Sequence, residues 1–365
     1  MKDKIYGYCG IICNDCRNFM ENMNCHGCIL EEKLLENCPT RSCAISKHLH
    51  SCIECNNFPC KILNEFYNDG KDLHKKAFEN LVFLKNQKYS LSNKYLWENK
   101  TGYHIESDFY NVDEFKKGKL SLLPIELNEL KNAVDEIKGK RMLHLQCHFG
   151  LDSLSWAKLG VDVTGVDFSN KSIEYAKKLS EETGILSKFI CSDIYDLPEI
   201  LNEKESFDIV FTSYGVLCWL HDLRKWANII SYYLKKGGLF YIVELHPFIM
   251  VFENEQNTRE LKVKFDYFHS DKPQNFISKG TYADRDAKIE CISYEWSHSI
   301  SDIINNLINA GLKIEFFNEH PFCCYDHFQF MKRREDGLWI FDREKLKEID
   351  LPELPFTFSI LARKL

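Results

Sequence analysis

The chain has 365 residues and a formal net charge of −7. Its composition is 44% hydrophobic and 28% charged, which is typical of a folded globular protein. The length suits two domains better than a single core. The negative charge argues against a nucleic-acid partner that is held by neutralisation of phosphates.

The N-terminal residues carry no sign of a secretion signal. Met-Lys-Asp-Lys is followed at once by cysteines rather than by an apolar core, and no apolar run approaches the ~20 residues that cross a bilayer. We therefore expect a cytoplasmic protein without a membrane span. In that compartment the 16 cysteines are expected as thiolate ligands or buried thiols rather than disulfides.

Cysteines are concentrated at the start of the chain, where ten fall within residues 1–65 and three pairs have two-residue spacing. Such pairs reach one metal ion from a single turn, and two pairs complete a tetrahedral zinc site. The spacing favours zinc over an iron–sulfur cluster, and it does not partition the thiols among sites. His26, His48 and His50 are alternative ligands. The candidate metal ligands are Cys9, Cys13, Cys16, Cys25, Cys28, Cys38, Cys43, Cys52, Cys55 and Cys60.

The same segment resembles a family of small cysteine-rich domains of unknown function that are described as zinc-binding. The resemblance rests on Tyr8-Cys-Gly, Cys13-x-x-Cys16, Asn24-Cys-x-Gly-Cys28 and Cys55-x-x-Phe-Pro-Cys60. It implies a metal-binding domain over residues 1–65 and leaves a protein partner of that domain open.

A connecting region follows the cysteines. Leu73, Ala77, Leu81 and Leu84 recur at helical spacing and predict a helix over 72–85. The polar residues 89–99 that follow predict a boundary near residue 90. We therefore assign 66–95 to a helical linker and 96–365 to a second domain, which begins with a helical stretch over 112–136.

Residues 140–167 read as strand, turn, helix and second strand. Met142 to Leu145 is a short apolar strand, Gly150 supplies the turn, and a β-branched run ends at Asp167. Parallel strands joined by a right-handed crossover open on the same edge of a sheet, where ligands bind. An acidic residue at the end of the second strand accepts hydrogen bonds from both hydroxyls of a ribose, which predicts a nucleoside site at Asp167.

Strands and helices alternate regularly after this unit. We predict a helix that Ser169 caps and that runs to Thr183, strands at 189–191, 208–212 and 239–243, and a helix over 223–234 that Lys-Lys-Gly-Gly ends. An insert at about 246–299 contains alternating stretches that suggest a hairpin. A helix at 300–310 and strands at 312–317 and 356–362 complete the chain. Repeated βα units predict a doubly wound α/β sheet that is mostly parallel.

Residues 140–244 resemble class I S-adenosylmethionine-dependent methyltransferases, and the trailing segments also fit. L-H-L-Q-C-H-F-G stands at the glycine-rich first loop, T-G-V-D-F-S supplies the ribose acid, and S-D-I-Y-D-L, F-D-I-V-F-T-S-Y-G and L-K-K-G-G-L-F-Y-I-V-E match later motifs. The resemblance implies S-adenosylmethionine as cofactor and an antiparallel edge to a Rossmann-like sheet. The implied cofactor-binding residues are Gln146, Cys147, Gly150, Asp167, Phe168, Ser169, Asp193, Ile194, Ser213 and Tyr214.

The first loop departs from this family. His144, Gln146 and His148 occupy the positions of the usual acid and of two glycines. The cofactor's amino group then needs another partner, for which Asp152 is the candidate.

Methyl transfer by in-line displacement depends chiefly on placing the acceptor and excluding water. A hydroxyl or ammonium acceptor benefits from a general base, and the candidates are His246, His298 and Tyr214. We expect a small-molecule acceptor. One alternative is a metal-binding sensor or protein-interaction module whose methyltransferase-like domain is a non-catalytic scaffold. Another is a thiol-bound metal or metalloid as acceptor, with Cys323 and Cys324 near the substrate cover.

Overall fold

The computed structural model describes residues 6–13, 38–253, 261–345 and 352–365. The chain forms two compact units, residues 1–91 and 92–365. Among the described helices, none is both long and apolar enough to cross a membrane.

The described residues form ten helices, which are labelled in chain order, and four single 3₁₀ turns. The 3₁₀ turns are Cys52–Glu54, Ile194–Asp196, Leu217–Trp219 and Ile249–Val251. The helices are α1 (Pro39–Ser46), α2 (Lys61–Tyr67), α3 (Asp72–Glu106), α4 (Val112–Lys116), α5 (Pro124–Ala133), α6 (Leu151–Lys158), α7 (Asn170–Thr183), α8 (Leu197–Ile200), α9 (Leu223–Tyr233) and α10 (Ile300–Asn309).

The strands of the described residues form one large sheet and two hairpins. The sheet has seven strands in the order β3-β2-β1-β4-β5-β11-β8, and the hairpins pair β6 with β7 and β9 with β10. The strands are β1 (Arg141–Leu145), β2 (Asp162–Asp167), β3 (Lys188–Cys191), β4 (Phe207–Ser213), β5 (Leu234–Leu245), β6 (Gln274–Lys279), β7 (Glu290–Glu295), β8 (Leu312–His320), β9 (Met331–Arg333), β10 (Trp339–Phe341) and β11 (Thr357–Lys364).

The order of the sheet confirms the predicted doubly wound α/β architecture. Strands β1 to β5 pair in parallel, and the order reverses between β1 and β4. The predicted antiparallel edge is also present, and it is formed by the last two strands of the sheet in chain order, β8 and β11. Strand β11 is antiparallel to both β5 and β8, so it lies one strand inside the edge that β8 forms. Strand β11 is the last strand in the chain, and it lies between β5 and β8, which both precede it in the sequence.

Helices cover both faces of this sheet and bury two large cores. One face packs α9 and α10 through Trp226, Ile230, Ile303 and Leu307, all fully buried. The other face carries Trp156 of α6 and Leu130 of α5 against Phe211 and Tyr241. Burying each such side chain contributes about 1.5–3 kcal/mol, so the sheet is a rigid support for the loops at its edges.

Helix α3 is longer than the sequence predicted. The periodic pattern ends near Leu84, but the helix continues to Glu106. The polar stretch contains neither glycine nor proline before Gly102, and serine or asparagine costs only about 0.5 kcal/mol in a helix. Asn99 donates from Nδ2 to the Tyr95 carbonyl at 2.7 Å, which keeps that polar group bonded within the helix.

The predicted turn before β5 lies within the strand. Helix α9 ends at Tyr233, and β5 begins at Leu234, so that Lys235 to Gly238 form an irregularity in the pairing of β5 with β4. A β-carbon on Gly238 would lie 2.9 Å from the Lys235 carbonyl oxygen. Glycine is therefore required by close approach of the backbone at this bulge.

Candidate functional site

Asp167 and the first loop meet at the carboxyl end of β2. The Asp167 Oδ2 accepts the His148 N–H at 2.9 Å, and its Oδ1 accepts the Ser169 N–H at 2.8 Å. A carboxylate has about four acceptor positions, so two remain for further donors such as a vicinal diol. Burial raises the pKa of Asp167 from 3.8 to about 6. Phe168 continues the chain from this acid, and Ser169 caps α7 by accepting the Ser172 N–H.

The first loop keeps left-handed backbone at three positions. Gln146, His148 and Gly150 have φ values of +57°, +52° and +81°. Of these three positions, position 150 also has no room for a side chain, because a β-carbon there would lie 2.7 Å from the Phe189 ring. The loop therefore has a glycine-like path with two non-glycine side chains, and each such residue costs about 1–2 kcal/mol. Cys147 lies between them and is buried.

Two histidines stand in this loop where the resembled family has an acid and a glycine. His144, at the position of the family's acid, is buried and has its Nδ1 2.8 Å from the Ser153 hydroxyl. Burial lowers its pKa to about 3, so it is neutral. The His148 Nε2 lies 2.9 Å from the His104 Nδ1 on α3. Helix α3 thereby closes over the loop, and Thr101 adds a 2.8 Å contact to Ser172.

Asp193 and Ile194 follow β3 as predicted. The Asp193 Oδ1 accepts the Tyr195 N–H at 3.0 Å and caps the short 3₁₀ turn that begins with Ile194. Ile194 is buried. Because the Asp167 carbonyl accepts the Ser192 N–H at 2.9 Å, the ends of β2 and β3 are adjacent. Their carboxylates therefore lie along one edge of the sheet.

The loop after β4 is fixed by Glu244, a residue to which the sequence assigned no role. The buried Glu244 carboxylate accepts backbone N–H bonds from Gly215, Val216 (2.7 Å) and Leu217 (3.1 Å). Gln146 joins the same loop by donating from Nε2 to the Val216 carbonyl at 3.0 Å. The other Gln146 amide atom, Oε1, is buried and has no hydrogen-bond partner. It is an acceptor suited to the ammonium group of a ligand.

Asp152, which is half-buried, and the buried Glu126 form an acidic pair beside these loops. The Asp152 Oδ1 accepts the Ser121 hydroxyl at 2.6 Å, and its Oδ2 lies 3.4 Å from the Ser213 hydroxyl. Glu126, in the first turn of α5, is 1% exposed, and the Tyr214 hydroxyl lies beside its carboxyl group. Burial raises the pKa of both carboxyls. The spacing of Glu126 and the buried Leu130 at i and i+4 is the one signal that places this acid on the apolar face of its helix.

Tyr214 follows β4 directly, with φ at +33°, and its buried hydroxyl lies beside the Glu126 carboxyl group. Burial, followed by the charge of Glu126, raises its pKa well above 10. In the β6–β7 connection, the Tyr282 hydroxyl is hydrogen-bonded to that of Tyr110. Asn93 of α3 fixes the hairpin by bonding both the N–H and the carbonyl of Tyr294, at 2.8 and 2.7 Å.

The structure places the two candidate histidines in packing contacts outside this group. The His246 Nδ1 accepts the Phe248 N–H at 3.0 Å, and its Nε2 lies 2.9 Å from Glu319. The His298 Nε2 donates to the Leu220 carbonyl at 2.7 Å, and its ring stacks on His269. Burial lowers the pKa of both histidines. Of the three candidate bases, only Tyr214 lies against the acidic pair.

In the N-terminal unit, several of the candidate thiols converge. Burial and the neighbouring Cys9, Cys60, Cys43 and Cys55 raise the pKa of Cys52 to about 12. Within the residues that the structure describes, however, no group of three or more His, Cys, Asp or Glu side chains is arranged to hold a metal ion. Cys16, Cys25 and Cys28 lie outside the described residues, as does His26. The described candidates are Cys9, Cys13, Cys38, Cys43, Cys52, Cys55 and Cys60.

The comparison with protein families addresses each unit. A family model described as "Methyltransferase domain" matches residues 143–242. This match runs from within β1 to within β5 and includes the loops that follow β1 to β4. A second model, described as "Protein of unknown function (DUF3795)", matches residues 5–65.

Curated relatives match parts of the chain. A ubiquinone biosynthesis O-methyltransferase of Idiomarina loihiensis is 30% identical over 142 residues, which are 39% of this chain and 57% of the relative. The chain thus spans just over half of that relative's length. The uncharacterized methyltransferase YbaJ of Bacillus subtilis is 25% identical over 213 residues, which are 57% of this chain and 80% of the relative.

Among solved structures, a putative S-adenosylmethionine-dependent methyltransferase from Listeria monocytogenes aligns with a TM-score of 0.46 at 18% identity. The alignment covers 66% of this chain and 96% of that one. A second S-adenosylmethionine-dependent methyltransferase, from Mesorhizobium loti, aligns with a TM-score of 0.46 at 20% identity and covers 68% of this chain and all of that one.

Proposed function

We propose that the C-terminal unit binds S-adenosylmethionine and transfers its methyl group to a small-molecule acceptor by in-line displacement. The observation that carries the proposal is the line of acceptors along one sheet edge: Asp167 after β2, Asp193 after β3, and the unpartnered Gln146 Oε1 between β1 and β4. The match of residues 143–242 to a methyltransferase domain supports it.

The residues present fit this cofactor. Asp167 receives the ribose hydroxyls, while Asp193 accepts from the adenine amino group and Ile194 contacts the base. Asp152 and the Gln146 Oε1 receive the ammonium group in place of the acid that His144 replaces. When bound, the cofactor supplies an electrophilic methyl group. The chain's contribution is to hold the acceptor in line and to exclude water, which the cover of α3 and the β6–β7 hairpin provides.

Calorimetry on the full-length chain with S-adenosylhomocysteine tests the proposal. We expect a one-to-one complex, and the product is a suitable probe because it shares the ribose, adenine and amino-acid groups. A radiolabelled methyl group from S-adenosylmethionine should then appear in small-molecule acceptors. A chain that shows no affinity for the product contradicts the proposal and favours a sensor or interaction module with a non-catalytic scaffold.

We further propose that the N-terminal unit binds zinc through its cysteines. The convergence of Cys9, Cys43, Cys55 and Cys60 on Cys52 supports this, because thiolates suit zinc and their mutual repulsion is relieved by a cation. Cysteine sulfur is a suitable ligand for zinc, but the cysteines that the structure describes are not arranged as a set of three or more metal ligands. Elemental analysis of the full-length protein is the test. We expect zinc in the native protein and less in Cys52→Ser, and protein free of metal would refute the assignment.

A further inference from the structure

His148 stands in the first loop where the resembled family has a glycine, and its backbone N–H donates to the Asp167 carboxylate at 2.9 Å. We propose that His104, on α3, is a positioning residue for cofactor binding: it holds the His148 side chain and thereby the N–H that orients Asp167. The inference rests on the proposed function, in which Asp167 receives the ribose hydroxyls. It gives a role to a residue outside the matched methyltransferase domain.

The backbone of His148 needs support from its side chain. Its φ of +52° lies in the left-handed region, which glycine adopts freely and which is strained for a residue with a side chain. Such a conformation persists only where surrounding contacts stabilise it. The ring of His148 makes two polar contacts of this kind. Its Nε2 lies 2.9 Å from the His104 Nδ1, and its Nδ1 lies 3.1 Å from the Ser172 Oγ.

His104 is fixed by the packing around it. It is 0% exposed and lies on a long helix, and its ring stacks on that of Tyr110 with the centroids 5.3 Å apart. The Trp97 ring meets it edge-on at 5.9 Å. Burial lowers the pKa of His104 to about 2 and that of His148 to about 3, so both rings are neutral at pH 7. Each ring therefore carries a single N–H.

The hydrogen bonds around the two rings determine which nitrogen carries each proton. The Thr101 Oγ1 donates its one proton to the Trp97 carbonyl at 2.8 Å, because a carbonyl oxygen can only accept. The 2.8 Å contact between Thr101 and Ser172 therefore uses the Ser172 proton. The His148 Nδ1–H then donates to the Ser172 Oγ, and the His104 Nδ1–H donates to the His148 Nε2. No other assignment places one proton in each of the four contacts.

This assignment makes His104 a donor through Nδ1 and leaves its Nε2 as a lone pair. That Nε2 is buried and has no hydrogen-bond partner, so a proton there would be an orphaned donor. Residue 104 must therefore supply a fixed donor at the Nδ1 position. The side-chain amide nitrogen of asparagine reaches the same position, whereas leucine, which is of similar size, has no donor.

Two substitutions of His104 separate the donor from the packing. At pH 7.5, calorimetry on the full-length chain should show S-adenosylhomocysteine binding to His104→Asn within about threefold of wild type. It should bind to His104→Leu at least about tenfold more weakly, because the strained backbone of residue 148 loses one of its supporting hydrogen bonds. Thermal unfolding checks that both variants fold. Equal affinities of the two variants would overturn the inference, since the donor would then have no effect.

A double-mutant cycle tests that His104 acts through His148. Glycine at position 148 keeps the backbone N–H and adopts a positive φ without support, so His148→Gly should bind S-adenosylhomocysteine within about threefold of wild type. In that background His104→Leu should change the affinity by less than about twofold. The inference is overturned if the tenfold effect persists in His148→Gly, or if His148→Gly alone loses binding.

Nitrogen-15 NMR of histidine-labelled full-length protein tests the proton positions without a ligand. We expect both rings as the Nδ1–H tautomer, and the signals of each ring are identified by their loss in His104→Asn and in His148→Gly. The Nε2–H tautomer in either ring overturns the inference and leaves the proposed function standing. A wild-type chain that does not bind S-adenosylhomocysteine overturns the proposed function, and the role of His104 in cofactor binding with it, whichever tautomers are found.

Discussion

Replacing Asp167 with asparagine removes a buried negative charge at the end of β2 while keeping the size of the side chain. The carboxylate accepts two backbone N–H bonds, from His148 and Ser169. An asparagine has only one oxygen, so one of those N–H groups is left facing an NH₂ group. A lost hydrogen bond to a charged group is worth about 1.5–3 kcal/mol, which is the expected loss from this contact at neutral pH before the relief of burial is counted.

The pKa of Asp167 sets a distinct dependence on pH. Burial raises this pKa from 3.8 to about 6, with Glu98 raising it further and Lys94 lowering it. Because the folded pKa lies above the unfolded one, the folded state binds more protons between pH 4 and 6. The stability from this group is therefore present at pH 4 and is lost as the pH rises through 6. The difference of about two pKa units corresponds to about 3 kcal/mol.

Two measurements follow from these magnitudes. Urea unfolding at pH 4 and at pH 7 should show the stability of wild type, relative to Asp167→Asn, falling by about 3 kcal/mol over that range. At pH 8, calorimetry should show S-adenosylhomocysteine binding at least about tenfold more weakly to the variant, because two ribose hydroxyls lose a charged acceptor. Below pH 6 the wild-type affinity should decline, whereas that of the variant should not.

The control is Asp162→Asn at the other end of β2, where the side chain is 68% exposed. It should change neither the affinity nor its pH dependence. If Asp167→Asn bound S-adenosylhomocysteine at pH 8 as tightly as the wild type does, the assignment of Asp167 to the ribose would be refuted. An unchanged pH profile of stability would refute the inference that this carboxyl is buried when no ligand is bound.

Two further substitutions test the support of the site. Gly150→Ala should lower the free energy of unfolding in urea by about 2–4 kcal/mol, because the new methyl group meets the Phe189 ring and the backbone has a positive φ. The control is Gly184→Ala, where a β-carbon meets nothing within 4 Å, and it should cost only about 1–2 kcal/mol. Asn93→Ala should speed amide hydrogen exchange in β7, because both of its bonds to that strand are lost, whereas Asn99→Ala should not; unchanged exchange would show that the hairpin is held elsewhere.

Local signals predicted the elements that border the site. Ser169 was predicted as a helix cap and accepts the Ser172 N–H, and α7 ends at Thr183 as expected. The strands β1 to β4 lie within one or two residues of their predicted bounds. Apolar runs and helix caps are local properties of the sequence, so they can be predicted without knowledge of the tertiary structure.

The acidic pair was harder to predict because burial depends on tertiary packing. Glu126 lies in the first turn of α5, where an acidic residue is ordinarily an exposed partner of the helix dipole. Its neighbours in the fold, Asp152 and Tyr214, come 26 and 88 residues later in the sequence. Glu244 likewise reads as the polar end of an apolar strand, and its role appears only when the loop after β4 turns back to it.

The first loop shows why the loss of glycines did not mean the loss of the turn. Gln146 and His148 keep positive φ values, at a cost of about 1–2 kcal/mol each. Gln146 offsets this through its bond to the Val216 carbonyl, and His148 through contacts with Ser172 and His104. Each of these partners lies 24 to 70 residues away in sequence. Contacts of the side chains with distant residues thus replace the conformational freedom of glycine, and the loop backbone keeps its left-handed path.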